Sequence, residues 1–128
     1  MKLRNMYLLN TVICLLFALG LLLMTPVMLS LFGMDNLPDA RTLGQLLAVE
    51  LVVGGMITLL ARDVTDEKAQ SAINYSNMVA GVLGLVVALN ATLTGVFGWF
   101  GWVIVAVYLI VAVGFAYFQF FAPPEQLV

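Results

Sequence analysis

The sequence predicts an all-α membrane protein: an up-down four-helix transmembrane bundle with both termini in the cytoplasm. Three observations carry this. Hydrophobic residues make up 63% of the 128-residue chain and charged residues 9%, where soluble domains average about 45–50% and about 25%. Four apolar stretches approach the roughly 20 residues that cross about 30 Å of hydrocarbon. The links between them are short, so successive spans are expected to be antiparallel neighbours. A mean hydropathy of +1.10 and this length fit one domain, residues 1–128, with no separate soluble unit.

The first span is expected from about Tyr7 to Met24, with a kinked extension through "TPVMLSLFG" to Phe32. Pro26 lacks an amide donor and crowds the preceding turn, so the helix should bend or restart there. The opening "MKLRN" is basic like the start of a secretory signal, but the apolar run is long and no A-x-A-like site follows it. It is therefore read as a retained helix.

The second span is expected over 42–61, the third over 73–94 and the fourth over 99–121, where Pro123 and Pro124 stop it. The links "MDNLPDA", "RDVTDEKAQS" and "GVFG" join them, and Asp63 or Thr65 is expected to cap a helix end. Lys2, Arg4, Arg62 and Lys68 fall on one side of the predicted bundle and Arg41 alone on the other. The excess of basic residues places the termini in the cytoplasm. Tyr7, Trp99, Trp102 and Tyr117 sit near span ends, where half-polar rings favour the headgroup layer.

Lipid tails are as apolar as leucine, so spans associate through small residues and a few hydrogen bonds. Gly44, Ala48 and Gly55 form such a stripe on the second span, with Gly54 and Thr58 beside Glu50. Gly81, Gly84 and Ala88 continue a stripe from Asn77 on the third, and Ala112 and Ala116 lie one turn apart on the fourth. Spacing alone leaves open whether these faces meet within the chain or against another protein. The seven methionines are expected as core fillers and Cys14 as a small buried apolar residue.

Glu50 stands out within "LLAVELVVGG". It lies eight residues after Thr42, near mid-membrane at 1.5 Å per residue, where an acidic side chain costs about 2.5–3.5 kcal/mol. It can stay protonated, hydrogen-bond to another helix, or face a watery cavity. Asn10, Asn90 and Thr92 are the partners by residue type, and Asn74 and Asn77 are read as caps or register pins. Arg41 lies nine residues away on the opposite face, too far for an ion pair within the helix. Glu50 is then either a working carboxylate or a register-fixing hydrogen-bond donor. The structural role is favoured because no second ionisable group completes a relay.

Histidine is absent and Cys14 is the only cysteine, which excludes an internal disulfide and His/Cys metal clusters. The five basic residues form no run that could neutralise a phosphate backbone, so no nucleic-acid partner is expected. No nucleophile–base pair, catalytic carboxylate pair or phosphate loop is present, and no enzymatic activity is expected. No cofactor is predicted, while a bound lipid, quinone or pigment held by packing alone would leave no sequence signature.

The pattern "LFALGLLLMTPVMLSLFG" followed by "ARTLGQLLAVELVVGGMITLLARD" resembles small bacterial four-helix membrane proteins. These are grouped with the DoxX-like families and with the sterol-pathway scaffold proteins of eukaryotes. The likeness rests on helix lengths, the proline after the first span and the "AR-x-x-G" entry to the second. It implies a bundle lacking a soluble catalytic domain and, from the scaffold relatives, a role in holding other membrane proteins together; the expected location is the bacterial inner membrane. The leading functional expectation is a non-enzymatic accessory subunit of a larger, bioenergetic or photosynthetic, membrane complex. Its partners would be the bilayer and other subunits or further copies of itself. The alternative is a small transporter or lipophile-binding bundle that uses Glu50.

Overall fold

The computed structural model describes residues 1–127, and within them four helices are long and apolar enough to cross a membrane. Helix α1 spans Leu3–Leu23 and a short α2 spans Thr25–Leu31. Helices α3, α4 and α5 span Pro38–Ala61, Glu67–Leu93 and Gly101–Phe120. The first span breaks at Met24, one residue before α2, which has proline in its first turn, the position a helix tolerates best. The Thr25 hydroxyl caps the discontinuity by donating to the Leu21 carbonyl at 2.6 Å.

Helix α3 starts four residues ahead of the expected 42 because Pro38 begins it. Helix α4 starts six residues ahead of the expected 73. Its first turns are polar, so hydropathy does not reveal them, yet the Asp66 carboxylate accepts from the Ala69 amide at 2.8 Å and fixes the start. The cap is therefore Asp66 and not Asp63 or Thr65. Asp63 instead lies 3.4 Å from Arg4 and 3.2 Å from Arg62.

The helices pack as two antiparallel pairs. In one pair, Gly44 of α3 lies against Leu21 of α1, and Gly55 against Cys14 and Leu15. In the other, Gly81 of α4 lies against Ala112 of α5, and Gly84 against the Tyr108 ring. A Cβ on Gly81 would come 2.8 Å from the Ala112 backbone nitrogen, so here two main chains touch. Contact within each pair is far more extensive than contact between the pairs.

The pairs meet chiefly at their two ends. At the end carrying both termini, Leu3, Met6, Tyr7, Phe115 and Phe118 form the main apolar cluster. Tyr7 is thus inside the bundle instead of in a headgroup belt, and its hydroxyl donates to Asn74 Oδ1 at 3.1 Å. At the other end the Gly98 amide donates to the Phe32 carbonyl at 3.0 Å, and the Phe32 and Phe97 rings lie 5.2 Å apart. Gly33 turns the chain there with φ of 75°, and a Cβ on it would lie 3.0 Å from the Gly98 nitrogen.

Trp99, Trp102, Tyr117, Phe120 and Phe121 are exposed near the ends of α5, as an interfacial belt requires. The methionines do not all fill the core. Met6 is buried and Met28 packs on Gly20, whereas Met1, Met24, Met34 and Met56 are exposed. In a chain whose outer surface meets lipid, an exposed methionine carries no hydrophobic penalty.

Candidate functional site

Two helix pairs joined at both ends leave a gap between them at mid-span. The gap is a cleft of about 470 Å³, lined by side chains from α1, α3, α4 and α5. Its walls are mainly apolar, with Phe17, Leu51, Ile104 and Val107 among them. Leu47 and Val87 line it and are also exposed, 48% and 66% respectively, so the cleft opens onto the lipid-facing surface.

Five side chains in the lining carry polar or sulfur atoms: Asn10, Cys14, Glu50, Asn77 and Tyr108. Glu50 follows Pro38 by twelve residues and precedes Ala61 by eleven, the midpoint of α3. It shares its helix face with Leu47, Leu51 and Gly54, which also line the cleft. Among the described residues Glu50 makes no hydrogen bond or ion pair, and no basic side chain lines the cleft. Glu50 is itself exposed, like Leu47 one turn before it, so it stands at the lipid-facing mouth of the cleft, where a charge without a partner is expensive.

Asn10, the first expected partner, is buried and lines the same cleft. Its amide donates to Asn77 Oδ1 at 3.3 Å and, at a longer 3.5 Å, to the Thr58 hydroxyl. Thr58 lies 2.9 Å from the Thr11 hydroxyl, and both reach the Gly55 carbonyl. Asn77 in turn donates to the Ile73 carbonyl at 2.9 Å. These contacts tie α1 to α3 and to α4, so Asn74 and Asn77 pin register between helices. Thr58 therefore belongs to this knot and not beside Glu50, while Gly54 does line the cleft with it.

Asn90 and Thr92 are not part of the site. Asn90 is exposed on α4. The Thr92 hydroxyl donates to the Ala88 carbonyl of its own helix at 2.7 Å, and its side chain fills the space beside Gly101. A threonine in a helix can satisfy its hydroxyl one turn back, so its residue type does not imply a tertiary partner.

The packing residues behave as a set. Gly44, Ala48, Gly55, Gly81 and Ala88 are buried, and Gly84 lies under the Tyr108 ring. Gly44, Gly55, Gly81 and Gly84 are met by side chains or main chain of a neighbouring helix of the same chain, and Ala48 packs with Ala18 and Leu21. Gly81, Gly84 and Ala88 also line the cleft, because the spacing that admits α5 leaves the adjoining wall shallow.

Two lining residues were not singled out as polar sites from the sequence. Cys14 is half-buried at the cleft wall and not sealed in a core. Tyr108 carries a hydroxyl in the middle of α5 and makes no hydrogen bond among the described residues. The signal was available, since a lone tyrosine deep in an apolar span raises the same question as Glu50. Among the described residues no group of three or more His, Cys, Asp or Glu side chains could hold a metal.

No protein-family model matches the chain, and neither a curated protein nor a solved structure matches it.

Proposed function

We propose that this protein binds a lipophilic small molecule in the cleft between its helix pairs, with Glu50, Asn10, Asn77 and Tyr108 receiving the molecule's polar head. The observation that carries the reading is a mid-span carboxylate without a protein partner among the described residues, exposed at the mouth of an apolar cleft of about 470 Å³. That size falls within the range of about 300–1,000 Å³ typical of small-molecule pockets, which combine apolar walls with a few polar groups. The guest would be long and apolar, with a hydroxyl, amide or ammonium group able to donate to the carboxylate. It would enter from the bilayer, and the protein would act without chemical conversion of it.

The same reading places both termini in the cytoplasm, on the strength of Lys2, Arg4, Arg62 and Lys68 against Arg41. It takes the membrane to be the bacterial inner membrane, following the resemblance to small four-helix proteins. The accessory-subunit reading rested on short loops, on glycine-rich packing faces that could meet either this chain or another protein, and on the lack of a catalytic constellation. Those faces are occupied by Leu21, Leu15, Ala112 and Tyr108 of the same chain, so the cleft reading takes precedence.

Native mass spectrometry of protein extracted from its own membrane in mild detergent tests this directly. A retained small lipophile is expected, present in wild type and reduced in Ala80→Trp, which places an indole at an exposed position of the cleft lining. Stoichiometric protein subunits with no small molecule would overturn the reading and restore the accessory-subunit role.

A further inference from the structure

A second concavity, separate from the cleft, lies at the end of the bundle that carries both termini. It measures about 260 Å³ and is lined by Lys2, Arg4 and Arg62, three of the five basic residues in the chain. Its apolar lining comes from buried Leu3 and Tyr7 and from half-buried Val64. Such a combination of cationic rim and apolar floor, set where spans end, has the chemistry of a headgroup-level anion site.

The charge balance sharpens this. Asp63 is the only carboxylate among the described lining residues, and its two oxygens are shared between Arg4 at 3.4 Å and Arg62 at 3.2 Å. Among the described lining residues, three cationic side chains against one anionic one leave an excess of two positive charges, in a chain whose net charge is −2. Asp66 of the same loop and Glu67, the first residue of α4, do not line the pocket, and Asp66 is engaged in capping α4.

Each arginine turns its Nε toward Asp63, while a guanidinium carries five donors in all. Arg62 uses one more on the Leu59 carbonyl at 3.3 Å. Lys2 makes no ion pair among the described residues. The donors left over match the oxygens of a phosphate, which arginine binds in a forked geometry. Exposed ion pairs of this kind are weak, so Asp63 competes only modestly for the two arginines.

We propose that this pocket binds a phosphate group through Arg4, Arg62 and Lys2, with Asp63 as the internal competitor. The phosphate is carried by an anionic lipid headgroup or is free phosphate. The full chain, purified and delipidated in detergent, is titrated with phosphatidylglycerol, with phosphatidylcholine and, separately, with inorganic phosphate, and bound mass is read by native mass spectrometry.

Preferential retention of phosphatidylglycerol that inorganic phosphate does not displace assigns the site to lipid. Binding of inorganic phosphate with no preference between the lipids assigns it to the free ion. In either case Arg4→Gln and Arg62→Gln should each weaken binding about fivefold, and Arg41→Gln at the opposite end should leave it unchanged. Asp63→Asn should tighten binding, a gain that misfolding cannot mimic. The proposal is overturned if neither ligand binds, if Arg41→Gln weakens binding as much as Arg4→Gln, or if Asp63→Asn brings no gain. The three cations would then serve orientation alone.

Discussion

The two helix pairs are held by different chemistry. Helices α1 and α3 are joined by a hydroxyl knot of Thr11 and Thr58 around the Gly55 carbonyl, with Ala18 and Ala48 fully buried above it. Helices α4 and α5 meet through glycine: Gly81 on the Ala112 main chain, Gly84 under the Tyr108 ring, and Gly101 beside Thr92. Between these two helices the one side-chain hydrogen bond among the described residues is near an end, from Gln119 to Ser71 at 3.1 Å. The first pair adds directed hydrogen bonds to its glycine contacts with side chains, whereas the second depends on a closer approach, in which main chain meets main chain at Gly81. In lipid, hydrogen bonds between helices average only about 0.6 kcal/mol and reach about 1.7, so close approach should be the less replaceable of the two.

The largest effect is therefore expected from Gly81→Leu, because the obstructing atoms belong to the Ala112 backbone and cannot turn aside. Little folded protein should survive detergent extraction, measured as the monodisperse fraction in size-exclusion chromatography. Gly55→Leu should be clearly destabilising but milder. Its neighbours are the Cys14 and Leu15 side chains, which a Cβ would meet at 3.1 and 3.2 Å and which can shift. Thr58→Val removes the knot while keeping the shape, and should cost about 1 kcal/mol in a denaturant titration in micelles. A Thr58→Val loss as large as that of Gly81→Leu would erase the distinction between the pairs.

Smaller still is the expected effect of Glu50→Gln on stability, within about 0.5 kcal/mol, since Glu50 holds no partner among the described residues. The same variant should lower retention of the proposed guest several-fold in native mass spectrometry. That separation of stability from binding tells a working carboxylate from one that fixes register. Asn90→Ala should change neither quantity, because the side chain is exposed and outside the cleft.

Much of the scaffold was legible in the sequence because its causes are local. Hydropathy gives the spans, Pro26 gives the break, and small residues spaced by three and four give the packing stripes. The polar first turns of α4 escaped because hydropathy reports only what meets lipid or core. The cleft escaped for a different reason. It is a gap created by the failure of two well-packed pairs to close on each other at mid-span, and no stretch of sequence encodes a gap. Glu50 was visible as an anomaly, and Tyr108 could have been found by the same reasoning. That Tyr7 belongs inside, bonded to Asn74 and near Phe115 with ring centres 6.0 Å apart, depends on which helix faces which.

For the proposed guest, the lateral mouth at Leu47 and Val87 sets the scale on which occupancy has to be counted. A guest that arrives through lipid responds to its mole fraction in the bilayer and not to its concentration in water. Adding empty vesicles at fixed total guest would drain the cleft, although nothing in the aqueous phase had changed. Apparent affinities measured at different protein-to-lipid ratios would disagree until they were divided by the amount of membrane present.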